Sequence, residues 1–131
     1  MAINFSNSVS GLQAQSKRLA VSANNVANVS TAGTPGVTEG ENAVYKPQEV
    51  IQTTTAGGGV RAETRPVQPA SVSAYAPQNP LANDEGVVDL PNVSLEAEFT
   101  DQLLAKRAYQ ANASVIKTQD EMLSSLMDIK S

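Results

Sequence analysis

The run FSNSVSGLQAQSKRLAVSANNVA, residues 5–27, decides how the rest of the chain is read. Within it Phe5, Leu12, Leu19 and Val26 recur every seven residues, and Val9, Ser16 and Ala23 fall between them, so the spacing alternates four and three. A stripe of that period runs along one side of an α-helix and marks a helix that packs lengthwise on another helix. The far end of the chain carries two such tracks side by side. Phe99, Tyr109, Ala113, Ile116, Leu123 and Met127 form one, and Leu104, Ala108, Ala111, Val115, Met122 and Ile129 form the other. A helix apolar on two stripes requires more than one neighbour. The N-terminal helix can cover one of them, because a helix contact buries a strip and not most of a cylinder. Residues 31–92 contain few bulky apolar side chains and nearly all of the prolines and glycines, so they are poor cover for the other. The pattern therefore predicts self-assembly through the terminal helices.

Composition narrows the function classes. Aromatic residues make up 4% of the chain and there is no Trp, so a dense monomeric core is not to be expected from so short a sequence. Cys and His are both absent, which removes thiolate and imidazole and with them the usual zinc sites, cysteine nucleophiles and His-dependent triads. Neither a catalytic site nor a cofactor or metal site is expected. The formal charge is -4, and the nine Lys and Arg are scattered between Lys17 and Lys130, so no basic face exists for nucleic acid. Met1 to Asn7 carry no positive side chain and no long apolar run follows. Neither a cleaved secretory signal nor a membrane-inserted helix is expected.

Three regions follow: residues 1–30 as an N-terminal helix, 31–92 as a Pro/Gly-rich stretch of hairpin and loop, and 93–131 as a C-terminal helix. The first helix is expected to start between Asn4 and Ser10, with Asn4, Ser6 or Ser8 as cap and Ser10 with Gln13 as a candidate capping box, and to stop between Ala27 and Ala32. Val44 to Thr55 reads as a strand broken by Pro47, Gly57 to Gly59 as a turn, Val60 to Val67 as the returning arm, and Val72 to Tyr75 as a further strand. Val87, Val88 and Leu90 read as a short extended piece ending at Pro91. Asn92 or Ser94 then caps a helix running to about Ile129, with Glu96, Glu98 and Asp101 at its positive end. The fold class is mainly α with a small β-rich insertion: two long terminal helices paired as a coiled-coil-like hairpin, with a knob of short strands and loop between them.

Three features could be mistaken for chemistry. The glycine triplet Gly57 to Gly59 lacks the following helix N-terminus of a phosphate loop and reads as a hairpin turn. Asp84, Glu85 and Asp89 lack the ligand order of a calcium loop and read as solvated turn charges. Lys106 and Asp120 fall on an apolar track, where they either snorkel out of the contact or set register between neighbouring helices.

Several segments resemble those of a known family. Ser22-Ala23-Asn24-Asn25-Val26-Ala27-Asn28-Val29-Ser30-Thr31-Ala32-Gly33 resembles the Asn-Asn-x-Ala-Asn-x-x-Thr signature of the bacterial flagellar axial proteins, the group of rod and hook subunits. The stretch from Tyr75 to Val93 looks like the segment that leads into the C-terminal helix of rod subunits in that group. Arg107-Ala108-Tyr109-Gln110-Ala111-Asn112 resembles its Arg-x-Tyr-Gln-Ala-Asn element, and the match is weakest from Thr34 to Gly59, where Lys46 is the only basic residue. The resemblance implies a structural subunit of the flagellar basal body, exported without signal cleavage through the flagellar type III apparatus and stacked into the rod where it crosses the periplasm. Implied partners are other rod subunits, the membrane-ring junction proteins and the export apparatus. The competing reading is a soluble helical-hairpin binding module, such as an export chaperone or adaptor. In the assembly reading the interface is expected to be carried by Phe5, Val9, Leu12, Leu19 and Val26, by Asn24, Asn25 and Asn28, by Phe99, Leu104, Tyr109, Gln110 and Asn112, and by Val115, Ile116, Met122, Leu123 and Met127.

Overall fold

Two helices of unequal length frame the molecule, and the local chemistry of their ends sets where each begins. The computed structural model describes residues 5–130, in the order α1 (Ser6–Ala27), β1 (Gln48–Thr54), β2 (Val60–Pro66), β3 (Ser71–Tyr75), β4 (Val87–Pro91) and α2 (Leu95–Lys130). The chain is mainly helical with a small two-sheet insertion, as its periodicity predicts.

α1 starts at Ser6 behind Phe5, with no side-chain cap. The candidate capping box of Ser10 and Gln13 does not form, because the helix begins a full turn earlier and Ser10 lies inside it. Its hydroxyl donates to the Asn7 carbonyl at 2.8 Å and accepts the Val60 N–H at 3.1 Å, so it ties the helix to β2 instead. The candidate cap Asn4 lies outside the described residues. At the other end the Asn28 N–H donates to the carbonyls of Asn24 and Asn25, and its Nδ2 donates to the Asn24 carbonyl at 2.9 Å. Asn28 thus takes up the last helical carbonyls with its backbone and its side chain, and the helix ends there.

α2 has 36 residues, which at 1.5 Å per residue is about 54 Å. Ser94 begins it: the Glu98 N–H donates to the Ser94 carbonyl at 3.0 Å and the Ala97 N–H reaches the Ser94 hydroxyl at 3.4 Å. Glu96 lies in this first turn, where its own backbone N–H and the Ser94 hydroxyl hold its carboxyl below the usual range. Asn92, the other candidate cap, donates its Nδ2 to the Pro69 carbonyl at 3.0 Å.

Between the helices lie two antiparallel hairpins, β1 with β2 and β3 with β4. In the first, Gln48 faces Pro66 and Thr54 faces Val60 around the tight Thr55–Gly59 turn, where Gly58 and Gly59 take φ of 82° and 91°. Only glycine enters that region without strain. The expected strand start at Val44 is not seen: pairing begins after Pro47, because proline brings no N–H and because Val44 and Pro47 are buried under the chain. The extended piece read from Val87 to Pro91 is a strand, and it pairs with β3 from Ser71↔Pro91 to Tyr75↔Val87. Asn83 sets up that return, its Oδ1 accepting the N–H groups of Glu85 and Val87 at 3.1 and 2.9 Å. Gly33 and Asp89 exchange backbone hydrogen bonds at 2.8 and 2.9 Å, which draws the chain leaving α1 onto β4.

β1 and β2 pack on α1, and α1 packs on α2. The apolar core among the described residues is small: Ala14, Val44, Val88 and Ala105 are buried, with the prolines Pro47 and Pro91. The chain exposes 8864 Å², whereas a compact monomer of 13.7 kDa would expose roughly 6,600 Å² by the usual scaling of area with mass.

Candidate assembly interface

The contact between α1 and α2 is antiparallel, and polar side chains hold it around the buried Ala105. Arg18 Nε donates to Asp101 Oδ2 at 3.0 Å and Arg18 Nη2 donates to Oδ1, a bidentate pair that holds the guanidinium's proton more tightly than usual through those bonds. Four residues further along α1, the Ser22 hydroxyl donates to the Glu98 carbonyl at 3.2 Å and accepts from Gln102 Nε2 at 3.1 Å. Towards the start of α1, Gly11 faces Asn112: a Cβ at Gly11 would stand 2.9 Å from the Asn112 amide nitrogen, so the missing side chain is the space that Asn112 fills.

Asn25 closes the junction of α1, α2 and β1. Its side-chain amide is 2% exposed and uses all four of its hydrogen-bonding positions. Nδ2 donates to the Gln48 carbonyl and to Glu98 Oε1, both at 2.7 Å, while Oδ1 accepts from the Tyr45 hydroxyl at 3.0 Å and from the Gln48 N–H at 3.1 Å. Burial, with a smaller contribution from the Glu98 charge, raises the Tyr45 phenol above its ordinary value and keeps it a donor. Asn25 therefore holds the chain's own parts together and offers no free group to a neighbour.

The apolar stripe of α1 lies beside this contact, not in it. Positions 11, 18 and 25 face α2, one residue before Leu12, Leu19 and Val26, which rotates the apolar stripe by about 100°. Val9 and Leu19 are exposed, Leu19 at 42%, while Phe5, Leu12 and Val26 are half-buried at the margin. On α2 the inward positions are Glu98, Ala105, Asn112 and Gln119. Phe99, Leu104, Tyr109, Val115, Met122 and Met127 are exposed, and Ile116 and Leu123 are half-buried. Asn24 and Gln110 are exposed; Asn28 and Asn112 are half-buried, with Asn112 Nδ2 donating to the Ala108 carbonyl at 2.9 Å. The expectation that the N-terminal helix would cover one apolar track of the C-terminal helix is corrected: Phe99, Leu104 and Tyr109 stay exposed, and α1 lies on the mixed track of Glu98, Ala105, Asn112 and Gln119, where the Arg18–Asp101 pair and the Asn25 bonds fasten it.

Sequence reasoning passed over Arg18, Ser22, Tyr45, Gln48, Glu98, Asp101 and Gln102. The signal was available, since Gly11, Arg18 and Asn25 recur every seven residues and so do Glu98, Ala105, Asn112 and Gln119. Where Leu19 and Phe99 rise on the two helices, with Leu103 and Tyr109, they wall a groove of about 690 Å³ that opens to solvent.

Both terminal helices match families of flagellar proteins. The model described as flagella basal body rod protein matches residues 5–33, and the one described as flagellar basal body rod FlgEFG protein C-terminal matches residues 84–129. A helical hairpin with an exposed apolar face and these two matches defines a flagellar basal-body rod protein. Among relatives, the chain is 36% identical over 120 residues to the flagellar basal-body rod protein FlgC of Escherichia coli, covering 87% of this chain and 86% of that one. It is 37% identical to that of Salmonella typhimurium over the same shares. To that of Agrobacterium fabrum it is 32% identical over 122 residues, 92% of this chain and 88% of the relative. The chain belongs to the FlgC family and is a structural subunit of the flagellar basal-body rod. Among the described residues no helix is long and apolar enough to cross a membrane.

Proposed function

We propose that this subunit builds the proximal part of the rod by laying the exposed apolar sides of α1 and α2 against the helices of neighbouring rod subunits, forming a shaft that transmits torque. The observation that carries the proposal is the separation of two heptad stripes on each helix. The polar stripe is consumed inside the chain, and the apolar one, with Leu19, Leu104 and Tyr109, is left outside. The surplus of exposed area is roughly 2,300 Å² over a compact chain of this mass, and a standard interface takes about 800 Å² per partner. That surplus suits contacts with more than one neighbour. The chain reaches its place unprocessed through the flagellar type III export apparatus, stands in the rod where it crosses the periplasm, and meets membrane-ring junction proteins on one side and further axial subunits on the other. Its work is structural and calls for no catalytic group. Its relatives favour this over an export chaperone or adaptor.

Leu19→Asp tests the proposal. Leu19 is exposed, so the isolated variant should keep its stability within about 0.5 kcal/mol, and it should still be secreted. It should not be recovered in basal bodies, and cells carrying it should not swim. Ile116→Asp should behave alike in assembly. Normal swimming with Leu19→Asp would refute the proposal.

A further inference from the structure

The two edges of the β1–β2 hairpin are finished differently. The Val67 N–H donates to the Pro47 carbonyl and the Thr55 N–H to the Gly59 carbonyl, so the odd-numbered residues of β1 bond to β2. In an antiparallel pair the residues between them aim N–H and C=O away from the partner strand. On β2 that outer edge is closed or blunted. The Val60 N–H donates to Ser10 Oγ at 3.1 Å, the Ala62 carbonyl accepts from Lys17 Nζ at 3.0 Å, and Pro66 has no N–H to offer. On β1 Gln48 is closed through Asn25. Among the described residues no partner meets the outward groups of Val50, Gln52 and Thr54, and Gln52, Thr53 and Thr54 are exposed. Sheet edges are ordinarily guarded by Lys or Pro. Val50-Ile51-Gln52-Thr53-Thr54 has neither a charge nor a proline and is β-branched at all but its middle position.

From this edge we infer that β1 pairs antiparallel with β1 of a second copy of the chain, on a two-fold axis at Gln52. The segment is complementary to itself. With Gln48 taken, the free stretch runs from Val50 to Thr54 and its midpoint is Gln52. Turned on that point, Val50 stands opposite Thr54 of the second copy, Ile51 opposite Thr53 and Gln52 opposite Gln52. All the outward backbone groups then pair, and β-branched side chains face one another across the strands. The nearest charge, Glu49, faces Thr55 and not another charge. The two hairpins become one four-stranded sheet. Such a contact closes at two copies and uses neither helix, so it is separate from the helix contacts proposed for the rod. So short an edge covers far less than the roughly 800 Å² per partner of a standard interface, which makes covalent trapping at high concentration the direct readout.

The chain has no cysteine, so disulfides at the exposed positions Ile51 and Thr53 report the register. On this axis position 51 of one copy meets position 53 of the other at a Cα separation of about 4.5 Å. Position 51 lies about 8 Å from its own counterpart, beyond the roughly 7 Å that a disulfide spans. Full-length Ile51→Cys and Thr53→Cys, mixed and oxidised, should therefore crosslink about tenfold more than either variant alone. Adding Gln52→Lys to both should lower the yield several-fold by setting like charges across the axis. Carrying Gln52→Glu in one of the two instead should restore it. A mixture that crosslinks no more than the single variants would overturn the inference, and efficient crosslinking of each variant with itself would show parallel pairing and do the same. A yield unmoved by Gln52→Lys, or lost and not restored by Gln52→Glu, would also overturn it.

Discussion

Replacing Asn25 by Ala should destabilise the isolated chain by about 3 kcal/mol, because one amide joins three elements. The side chain accepts from Tyr45 and from the Gln48 N–H and donates to the Gln48 carbonyl and the Glu98 carboxylate. Three bonds to uncharged partners at about 1 kcal/mol and one to a carboxylate at about 2 kcal/mol give roughly 5 kcal/mol before relaxation. Gln48 is exposed, and Tyr45 and Glu98 are half-buried. Water can therefore satisfy part of what Ala leaves unpaired, which brings the net cost to about 3 kcal/mol. Against a total of roughly 5–15 kcal/mol for an ordinary domain, that is a large share, and for a chain of this size it lowers the melting temperature by about 10 °C. Thermal and urea unfolding followed by helical circular dichroism measures it, with Asn24→Ala as the control. Asn24 is exposed, and its loss should stay within about 0.5 kcal/mol. Equal effects at the two positions, or a cost at Asn25 below about 1 kcal/mol, would refute the reasoning.

Gly33→Ala should cost at least about 2 kcal/mol, since its Cβ would stand 2.2 Å from the Val44 backbone nitrogen and 2.6 Å from the Val44 Cα, atoms that cannot swing aside. Retention of the Gly33–Asp89 hydrogen bonds in amide exchange of that variant would count against this. The phenol of Tyr45 sits above its ordinary value of 10.0, so the unfolded chain releases that proton first as pH rises. Stability should be level below about pH 10 and decline above it. Tyr45→Phe should remove most of that decline at a cost of about 1 kcal/mol near neutrality, and an unchanged slope in the Phe variant would show that another group is responsible.

Much of the fold could be read from the chain. The 36-residue second helix, the hairpin turn at Gly57 to Gly59 and the end of the first helix at its asparagines follow from period and turn chemistry. What the apolar period alone does not give is which stripe of α1 turns inward. Hydrophobic period reports the side of a helix that is covered in the finished assembly, and in a subunit that need not be the side covered within the chain. Leu12 and Leu19 carry the apolar period while Gly11, Arg18 and Asn25 make the contact, and a polar contact gives no apolar signal at all. The pairing of β3 with β4 escaped for a different reason: its two arms are separated by residues 76–86, and the Asn83 turn that closes them lies within a stretch dominated by Pro77 and Pro80. The site followed the same division. The exposed residues Leu19, Leu104 and Tyr109 were legible as apolar heptad positions, whereas Asn25 read as a surface residue and proved to be the clasp behind that surface.

The central claim, that the apolar heptad side is open in the single chain and covered in the rod, is tested most directly by thiol labelling of Leu19→Cys in the dilute chain and in purified basal bodies. Labelling near the rate of a free thiol in the chain, with at least hundredfold protection in the basal body, is the predicted result. Slow labelling in the dilute chain, or equal rates in the two states, would contradict it.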